Sequence, residues 1–409
     1  MKNVIKLFSV LFLAGGVVFN GCKKPDNNQN NTTDPITGEY GSGTKEDPFR
    51  IHTVADLKRV GSGQATPGQQ QKAGGTVWAE NSHYRLENDI NLSSESNWRP
   101  IGCSAFAAGF SGTFDGGGHV IKNLTITDYE DYDALGLFGF VDGTIKNVRL
   151  DGVKINVSGE HLGVIGGIAG KLEGNGTIEF CSVNGINITV DAFPFFGVGG
   201  VVGYIQVFQG QTTTVRNCMV TDVTIKTDAP CGGIAGTCEG TIENCYTTAN
   251  VTSGYSAGGI VGDLTAQSIV QYCYATGSIV GGDAGGIAGE NIAGMVQNCV
   301  ALNINVRTDI SNIGRIVGDN VTNAHGVDGK TINNYARANM TLTVDWQPLP
   351  ISDISPTSIH GENVSVADYA GANSGTWWKN TVDFPDTAWD FAPNRLPHLK
   401  GFDNLTQNP

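Results

Sequence analysis

The chain has 409 residues, of which 57 are glycine, about twice the average share, without the triplet period of collagen. Its apolar share of 40% is enough to build a core, while its formal charge of −14 argues against nucleic-acid binding, which needs a basic surface. Beyond the N-terminal segment no apolar run is long enough to predict a transmembrane helix.

The first 22 residues have the pattern of a targeting signal. A basic start, "MKNVIK", precedes the apolar stretch "LFSVLFLAGGVVF", and Cys22 follows a small residue in "NGCKK". This arrangement resembles a bacterial lipoprotein signal, which implies that residues 1–21 are removed and that Cys22 carries the lipid. The alternative is an ordinary secretory signal with an incidental cysteine. Because the remaining chain is strongly acidic, the lipid rather than the protein surface would hold it at a membrane.

Residues 22–45 are polar and rich in Asn, Thr, Gly and Pro, which is typical of a flexible tether. After the tether, "TVADLKRVG" predicts one short helix. Thr53 is its expected N-cap, Asp56 is the third helical residue, and Gly61 follows its end. We expect this helix to cap the domain that follows.

A glycine-rich pattern then repeats along the chain. Its apolar runs last three to five residues, are mostly β-branched and are bounded by glycine, so they are too short for helical repeats. A unit of this length cannot bury its own apolar face, which predicts a solenoid, and short strands in one direction predict a parallel β-helix of about nine coils. The seven copies start at Gly136, Gly166, Gly199, Gly232, Gly258, Gly285 and Ile313.

Three columns of residues align across these copies. The first is always Ile or Val and is predicted to be core, the second is mostly Cys, and the residue before the Cys is mostly Asn. Because Asn tolerates left-handed backbone, a bend there would let the first two columns both point inward. The first column is Ile145, Ile178, Val215, Ile242, Val270, Val296 and Ile332. The second column is Val148, Cys181, Cys218, Cys245, Cys273, Cys299 and Tyr335. The third column is Asn147, Phe180, Asn217, Asn244, Tyr272, Asn298 and Asn334.

The cysteines of the second column are expected to be small buried core residues with free thiols. The alternative is a disulfide between adjacent coils. C-x-x-C spacing is missing, so zinc is not expected. Cys231 and Cys238 flank a strand and should not pair with each other, because seven extended residues span over about 20 Å.

Residues 346–409 contain Trp346, Trp377, Trp378 and Trp389 and are expected to form an aromatic C-terminal cap. Solenoid ends need caps, so these tryptophans are predicted to plug the open end of the core. The alternative is a sugar-stacking platform made by Trp377 and Trp378.

"GLFG" at Gly136 and the later "GGIAG" and "GGIVG" copies resemble the GLUG motif of bacterial surface proteins. The leader "FSGTFDGGGHVIKNLTI", the opening "GTKEDPFRIHTVADLKRV" and the end "DTAWDFAPNRLPHLKGF" are similar to the corresponding parts of such proteins. The resemblance implies a right-handed parallel β-helix over residues 46–345, displayed at the outer membrane of a Gram-negative bacterium by an adhesin-like lipoprotein. Related repeats also occur beside the catalytic domain of immunoglobulin-cleaving peptidases, but no catalytic residue carries over.

Two stretches match catalytic or phosphate-binding motifs weakly. "GYSAG" fits the hydrolase pattern G-x-S-x-G, but Ser256 precedes a repeat glycine and no helix is expected after it. "AHGVDGKT" has Ala324 where a phosphate loop requires glycine, and H-E-x-x-H is absent. No catalytic residue and no cofactor is therefore predicted.

One column could carry chemistry. The residue after each G-x-x-G step is predicted to point outward, and in three successive copies it is Asp263, Glu290 and Asp319. Such an acidic ladder could bind a cation such as calcium or a ligand, or supply the carboxylate pair of a glycoside hydrolase. The simplest interpretation is three solvated side chains, separated by unequal loops.

The sequence favours a lipid-anchored, surface-exposed protein that binds host or matrix glycans or proteins. The alternatives are a polysaccharide lyase or glycoside hydrolase on the same fold, which would use the acidic ladder, and a structural spacer without a ligand of its own.

Overall fold

The structure is a computed structural model that describes residues 40–64, 77–103, 109–128, 133–158, 163–191, 196–402 and 407. The predicted signal segment 1–21, the predicted lipid-bearing Cys22 and most of the predicted tether lie outside the described residues. Tyr40 packs against Trp78, with ring centroids 6.0 Å apart, so the folded part includes residues that were assigned to the tether.

The predicted parallel β-helix is confirmed. Four sheets run along a solenoid of about nine coils, and strands of consecutive coils pair in parallel. Sheet A contains Phe49–Ile51, His83–Leu86, Thr113–Asp115, Thr144–Lys146, Thr177–Glu179, Thr214–Arg216, Thr241–Glu243, Ile269–Gln271, Met295–Gln297 and Lys330–Ile332. Sheet B contains Ile90–Asn91, Val120–Lys122, Arg149–Asp151, Ser182–Asn184, Met219–Thr221, Tyr246–Thr247, Tyr274–Ala275, Val300–Ala301, Tyr335–Arg337 and Glu362–Val364.

Sheets C and D complete each coil. In sheet C, two rows of strands join at a long strand that pairs with both. The first row contains Thr125–Ile126, Lys154–Ser158, Asn187–Asp191, Thr224–Thr227 and Asn250–Ser253. The second row contains Ala134–Leu135, Val164–Gly166, Val198–Gly199, Cys231–Gly232 and Ser256–Gly258. The long strand is Ile279–Gly285, and it is followed by Asn305–Gly314, Thr341–Val344 and Gln347–Pro348. Sheet D contains Phe138–Val141, Ala169–Leu172, Val202–Ile205, Ala235–Cys238, Val261–Leu264, Ala288–Ile292 and Val317–Val321.

The predicted N-terminal helix is present as Val54–Leu57. The Thr53 side chain accepts a hydrogen bond from the Asp56 backbone N–H (3.2 Å), and the Asp56 carboxylate accepts one from the Thr53 N–H (3.1 Å). This reciprocal pair satisfies two amide groups that a helix start leaves without partners.

The column predictions hold through Val296 and fail by one residue in the last copy. The first column is buried in register, and the residues before the cysteines have φ between 51° and 54°. In the last copy, however, Thr331 pairs with Val296, while Ile332 pairs with Gln297 and is 42% exposed.

The left-handed residue of this last copy is therefore Asn333, and Asn334 takes the cysteine position. The slip is tolerated because the Asn334 amide replaces the thiol with two hydrogen bonds. It donates to the Val296 carbonyl (2.8 Å) and accepts from the Cys299 N–H (3.0 Å).

All five cysteines of the column are buried with free thiols, as expected, and Cys231 and Cys238 are also buried and free. Burial raises the pKa of the Cys238 thiol to about 12 and raises those of Cys181, Cys245 and Cys273 well above the ordinary value. These thiols are core packing groups rather than nucleophiles.

The C-terminal region is aromatic, but Trp377, Trp378 and Trp389 pack beside the solenoid instead of plugging its end, and Trp346 is exposed. Trp378 and Trp389 lie 5.6 and 5.5 Å from the ring of Tyr274, which projects from the outer face of sheet B. The reason is that Tyr246 and Tyr274 stack in register on that face and leave an apolar surface to be covered. The helices Val366–Ala370 and Ser374–Asn380 and the strand pair Trp389–Asp390 and His398–Leu399 belong to this cover.

The end of the core is closed by other residues. Arg315 is fully buried and donates hydrogen bonds to the carbonyls of His360 and Gly361, each at 2.8 Å. Parallel pairing also continues past residue 345, because Glu362–Val364 pairs with Tyr335–Arg337.

Candidate functional site

The G-x-x-G step forms a sharp corner that brings sheets C and D into direct backbone contact. A β-carbon at Gly262 would lie 2.3 Å from the Cys231 nitrogen, and one at Gly289 would lie 2.6 Å from the Ala257 nitrogen. Only glycine fits at such distances. The residues that flank each glycine step are therefore forced to meet in the narrow space between the two sheets.

The predicted ladder exists. Asp263 pairs in register with Glu290, and Glu290 with Asp319, on successive strands of sheet D. Unequal loop lengths do not separate them, because the glycine corners hold the register. Neighbouring strands lie about 4.8 Å apart, so the three carboxylates form a continuous column.

A second polar column, on sheet C, lies against this ladder. Ser256 pairs in register with Asp283, and Asp283 with Asn312. In the sequence, Ser256 fits only a weak nucleophile motif, and no motif includes Asp283 or Asn312. Their common position, two residues before the first glycine of each step, was the signal that could have revealed them.

Hydrogen bonds connect the two columns. The Ser256 hydroxyl donates to the Asp263 carboxylate, and the Asn312 amide donates to Asp319 (2.9 Å) and to Asp283 (2.7 Å). Ser256 is fully buried and Glu290 is 9% exposed. The ladder does face away from the core, as expected, but it is not freely solvated, because Glu290 is nearly buried and Asp263 and Asp319 are half-buried beside the second column.

Burial raises the pKa of Asp263 to about 7; the Ser256 hydrogen bond opposes this rise, and the negative charge of Asp283 adds to it. The pKa of the Tyr255 hydroxyl is raised as well, first by burial and then by the charges of Asp263, Glu290 and Asp283. Chemically, the cluster is a half-buried acidic group whose surroundings favour the protonated form of Asp263.

The other chemical motifs do not form sites. Ser256 begins a strand that a second strand follows, without the strand-to-helix elbow of a nucleophilic serine. Residues 324–329 form a loop that leads into the strand Lys330–Ile332. Among the described residues, no group of three or more His, Cys, Asp or Glu is arranged to hold a metal ion. In the same part of the chain, no helix has the length and apolar character needed to cross a membrane.

A second candidate surface is the C-terminal end of the solenoid, here called the distal tip. Nine large hydrophobic side chains are exposed in the described part of the chain, and seven of them lie between residues 304 and 354. They are Ile304, Ile310, Val327, Ile332, Trp346, Leu349 and Ile354.

Trp346 is the most exposed of these residues, at 70%, on the turn between Thr341–Val344 and Gln347–Pro348. The Arg307 guanidinium lies 3.6 Å from its ring centroid, and Asp309 pairs with Arg307 at 3.0 Å. Trp378 is only 1% exposed. Trp377 and Trp378 therefore do not form the sugar-stacking platform that was the alternative prediction.

The comparisons with known proteins place the fold but not a family. No family model matches the chain. Halomucin of Haloquadratum walsbyi is 32% identical over 180 residues, which are 41% of this chain and 2% of that protein. A proposed Gly-rich membrane protein of Evansella cellulosilytica is 32% identical over 152 residues, 35% of this chain and 15% of that protein. The matches thus span a small part of either relative.

Among solved structures, the chain is similar to a proposed immunoglobulin A1 protease from Bacteroides ovatus. The TM-score is 0.56 at 22% sequence identity, over 88% of this chain and 94% of that one. At this level of identity the similarity establishes a shared β-helical fold and leaves open whether this chain is an enzyme.

Proposed function

We propose that this chain is a lipid-anchored, surface-exposed outer-membrane protein that uses its distal tip to bind a glycan or protein of a host or matrix. The observation that carries the proposal is the concentration of exposed hydrophobic side chains between residues 304 and 354. Exposed apolar groups that gather in one region of a soluble fold are typical of an interaction surface.

The position of the tip fits this role. The strands of sheet A follow one another in chain order from Phe49–Ile51 to Lys330–Ile332. The first coil of the chain therefore lies at one end of the solenoid, and the last coil lies at the other end. At about 4.8 Å per coil, nine coils hold the tip roughly 40 Å from the first coil. An anchor at Cys22 would thus leave the tip pointing away from the membrane.

Trp346 is suited to be the main contact of the tip. Arg307 covers one face of the indole ring, and an exposure of 70% requires that the other face be open. Rigid aromatic side chains and arginines contribute a large share of binding energy at protein interfaces. Sugar rings also pack well on such faces, which is why both ligand classes are retained.

Two further observations support a location at the cell envelope. One relative is named as a membrane protein, and the glycine repeats resemble the GLUG motif of bacterial surface proteins. To test the anchor, the full chain with Cys22→Ala is expressed in a Gram-negative host. The variant should leave the membrane fraction and lose lipid incorporation, and the parent chain should be cleaved by protease added to intact cells. Retention of the variant in the membrane would refute lipid anchoring.

To test binding, the full chain in detergent is applied to immobilised glycoproteins, matrix proteins and polysaccharides, and the retained protein is measured. Trp346→Ala should abolish retention without lowering stability. Phe208→Ala is the matched control, because Phe208 is 48% exposed but lies outside the tip. An equal loss of retention with Trp346→Ala and Phe208→Ala would rule out the tip as the binding surface. Retention that Trp346→Ala leaves unchanged would rule it out as well. Binding to no surface at all would favour the structural spacer.

A second candidate function is the cleavage of polysaccharides at the acidic cluster. The observation that favours it is the pKa of Asp263, about 7, because a general acid works best when its pKa lies near the working pH. Release of soluble fragments from the immobilised polysaccharides is measured alongside retention. Release that disappears with Asp263→Asn and with Glu290→Gln would establish this activity; unchanged release would exclude the cluster.

A further inference from the structure

A cavity of about 280 Å³ lies in the N-terminal half of the solenoid, away from both the acidic cluster and the distal tip. Arg85 and Arg149 line it, together with Phe180 and Phe402, and Phe402 is almost fully buried. Two arginines in one cavity are notable in a chain with a formal charge of −14. The volume is slightly below that of typical drug-sized pockets, which points to a ligand of about one ring.

Both guanidinium groups converge on the Gly117–Gly118 turn. The Arg85 Nε lies 3.6 Å from the point where a β-carbon of Gly117 would be, and the Arg149 Nη2 lies 3.9 Å from the corresponding point of Gly118. Arg85 has one distant ion pair, to Glu87 at 3.8 Å. Within the described residues no carboxylate pairs with Arg149, so its charge is available to a ligand.

The turn leaves one backbone donor available. Gly117 and Gly118 have φ values of 60° and 82°, a left-handed backbone that glycine adopts without strain. The Gly117 N–H donates to Asp115 (2.9 Å), whose charge is balanced by Lys146 at 3.4 Å. No described residue accepts from the Gly118 N–H, which leaves that donor free beside Arg149.

Phe180 supplies the aromatic part of the cavity wall. It interrupts the asparagine column and has φ 53°, a conformation that costs a bulky residue on the order of 1 kcal/mol relative to asparagine. Its ring packs on Gly401, where a β-carbon would be 3.1 Å from the Phe180 Cδ1. Tyr272 holds the same left-handed position in a later coil, with φ 54°, so the column accepts an aromatic residue, and Phe180 matters here through its place in the cavity wall.

We propose that this cavity binds an acidic sugar residue. Its carboxylate or sulfate would pair with Arg149 and Arg85 and with the Gly118 N–H, since guanidinium groups match planar and tetrahedral oxyanions with paired hydrogen bonds. The C–H face of the ring would pack on Phe180, and the Asn147 amide and Asp115 would receive the hydroxyl groups. This site is separate from the distal tip and does not depend on binding there.

The test uses three compounds that share one ring: glucose, glucuronic acid and glucose 6-sulfate. Their binding to the full chain in detergent is measured by calorimetry and ligand-observed NMR. We expect at least one acid to bind about tenfold or more tightly than glucose, with weaker binding at higher salt. The acid that binds better identifies the source of the charge as carboxylate or sulfate.

Arg149→Gln and Arg85→Gln should each reduce the affinity for that acid about tenfold or more. Lys154→Gln is the matched control, since Lys154 is an exposed lysine of the same coil. Trp346→Ala should leave acid binding unchanged, which separates this site from the proposed tip. Equal affinity for glucose and the acids would overturn the proposal, as would full affinity in a folded Arg149→Gln chain.

Discussion

The raised pKa of Asp263 predicts an unusual stabilisation by a single substitution. A carboxyl whose pKa moves from 3.8 to about 7 on folding is easier to protonate in the folded chain. The contribution of this group to stability is therefore fully present at pH values below 3.8 and is lost as the pH rises through 7. At pH 8 the loss corresponds to about 4 kcal/mol as an upper limit, and at pH 5 to about 2 kcal/mol. Asp263→Asn keeps an acceptor for the Ser256 hydroxyl and removes the charge that repels Asp283.

We therefore expect Asp263→Asn to raise the free energy of unfolding by about 1 to 4 kcal/mol at pH 8 and by less than half of that increase at pH 5. Urea titrations at the two pH values measure both quantities. Asp222→Asn is the control, because Asp222 is exposed on a turn with φ 53°, which asparagine also tolerates. A variant that is no more stable than the parent chain at pH 8, or a gain that does not shrink at pH 5, would refute this account.

Three other outcomes are expected. Gly262→Ala should destabilise the chain by about 3 kcal/mol or more, or prevent folding, because its β-carbon would meet the Cys231 nitrogen at 2.3 Å. Gly326→Ala is the control, because no atom lies within 4 Å of its β-carbon position, and it should cost only about 1 kcal/mol in the same urea titration. Arg315→Leu should cost about 3 kcal/mol, measured likewise, since it leaves buried carbonyls without donors. The seven buried free thiols should react with a thiol reagent at pH 8 only after unfolding, and fast reaction of the folded chain, for example at Cys238, would contradict their burial.

The repeat and its columns could be predicted from the sequence because β-helix coils stack with strict register. An inward aliphatic column and a left-handed asparagine column appear directly in an alignment of the copies. The register prediction for the last copy was wrong because Asn333 and Asn334 are adjacent, so two registers were possible. The preference for an aliphatic core residue favoured Ile332 over Thr331. Backbone conformation decided the register instead, and hydrogen bonds of Asn334 compensated for the missing thiol.

The surroundings of the ladder were harder to predict for a different reason. Alternation along a strand tells which residues leave the core, but it does not tell what lies on the outer side. Asp263 points away from the core as expected, yet it is half-buried, because the glycine corner folds sheet C against sheet D. Likewise, the outward Tyr246 and Tyr274 indicate an apolar outer face only when their strands are known to be neighbours.

The glycine corner also explains how one scaffold can carry different chemistry along its length. Glycine is required at the corner because no β-carbon fits there, whereas the residue after the last glycine only has to fill the space between the sheets. In the early coils this residue is Lys171 or Tyr204, and the Lys171 ammonium lies 5.7 Å from the Tyr204 ring centroid. In later coils it is Asp263 or Glu290. Since the corner fixes the backbone in every coil, such exchanges alter charge and proton affinity at this position without altering the fold.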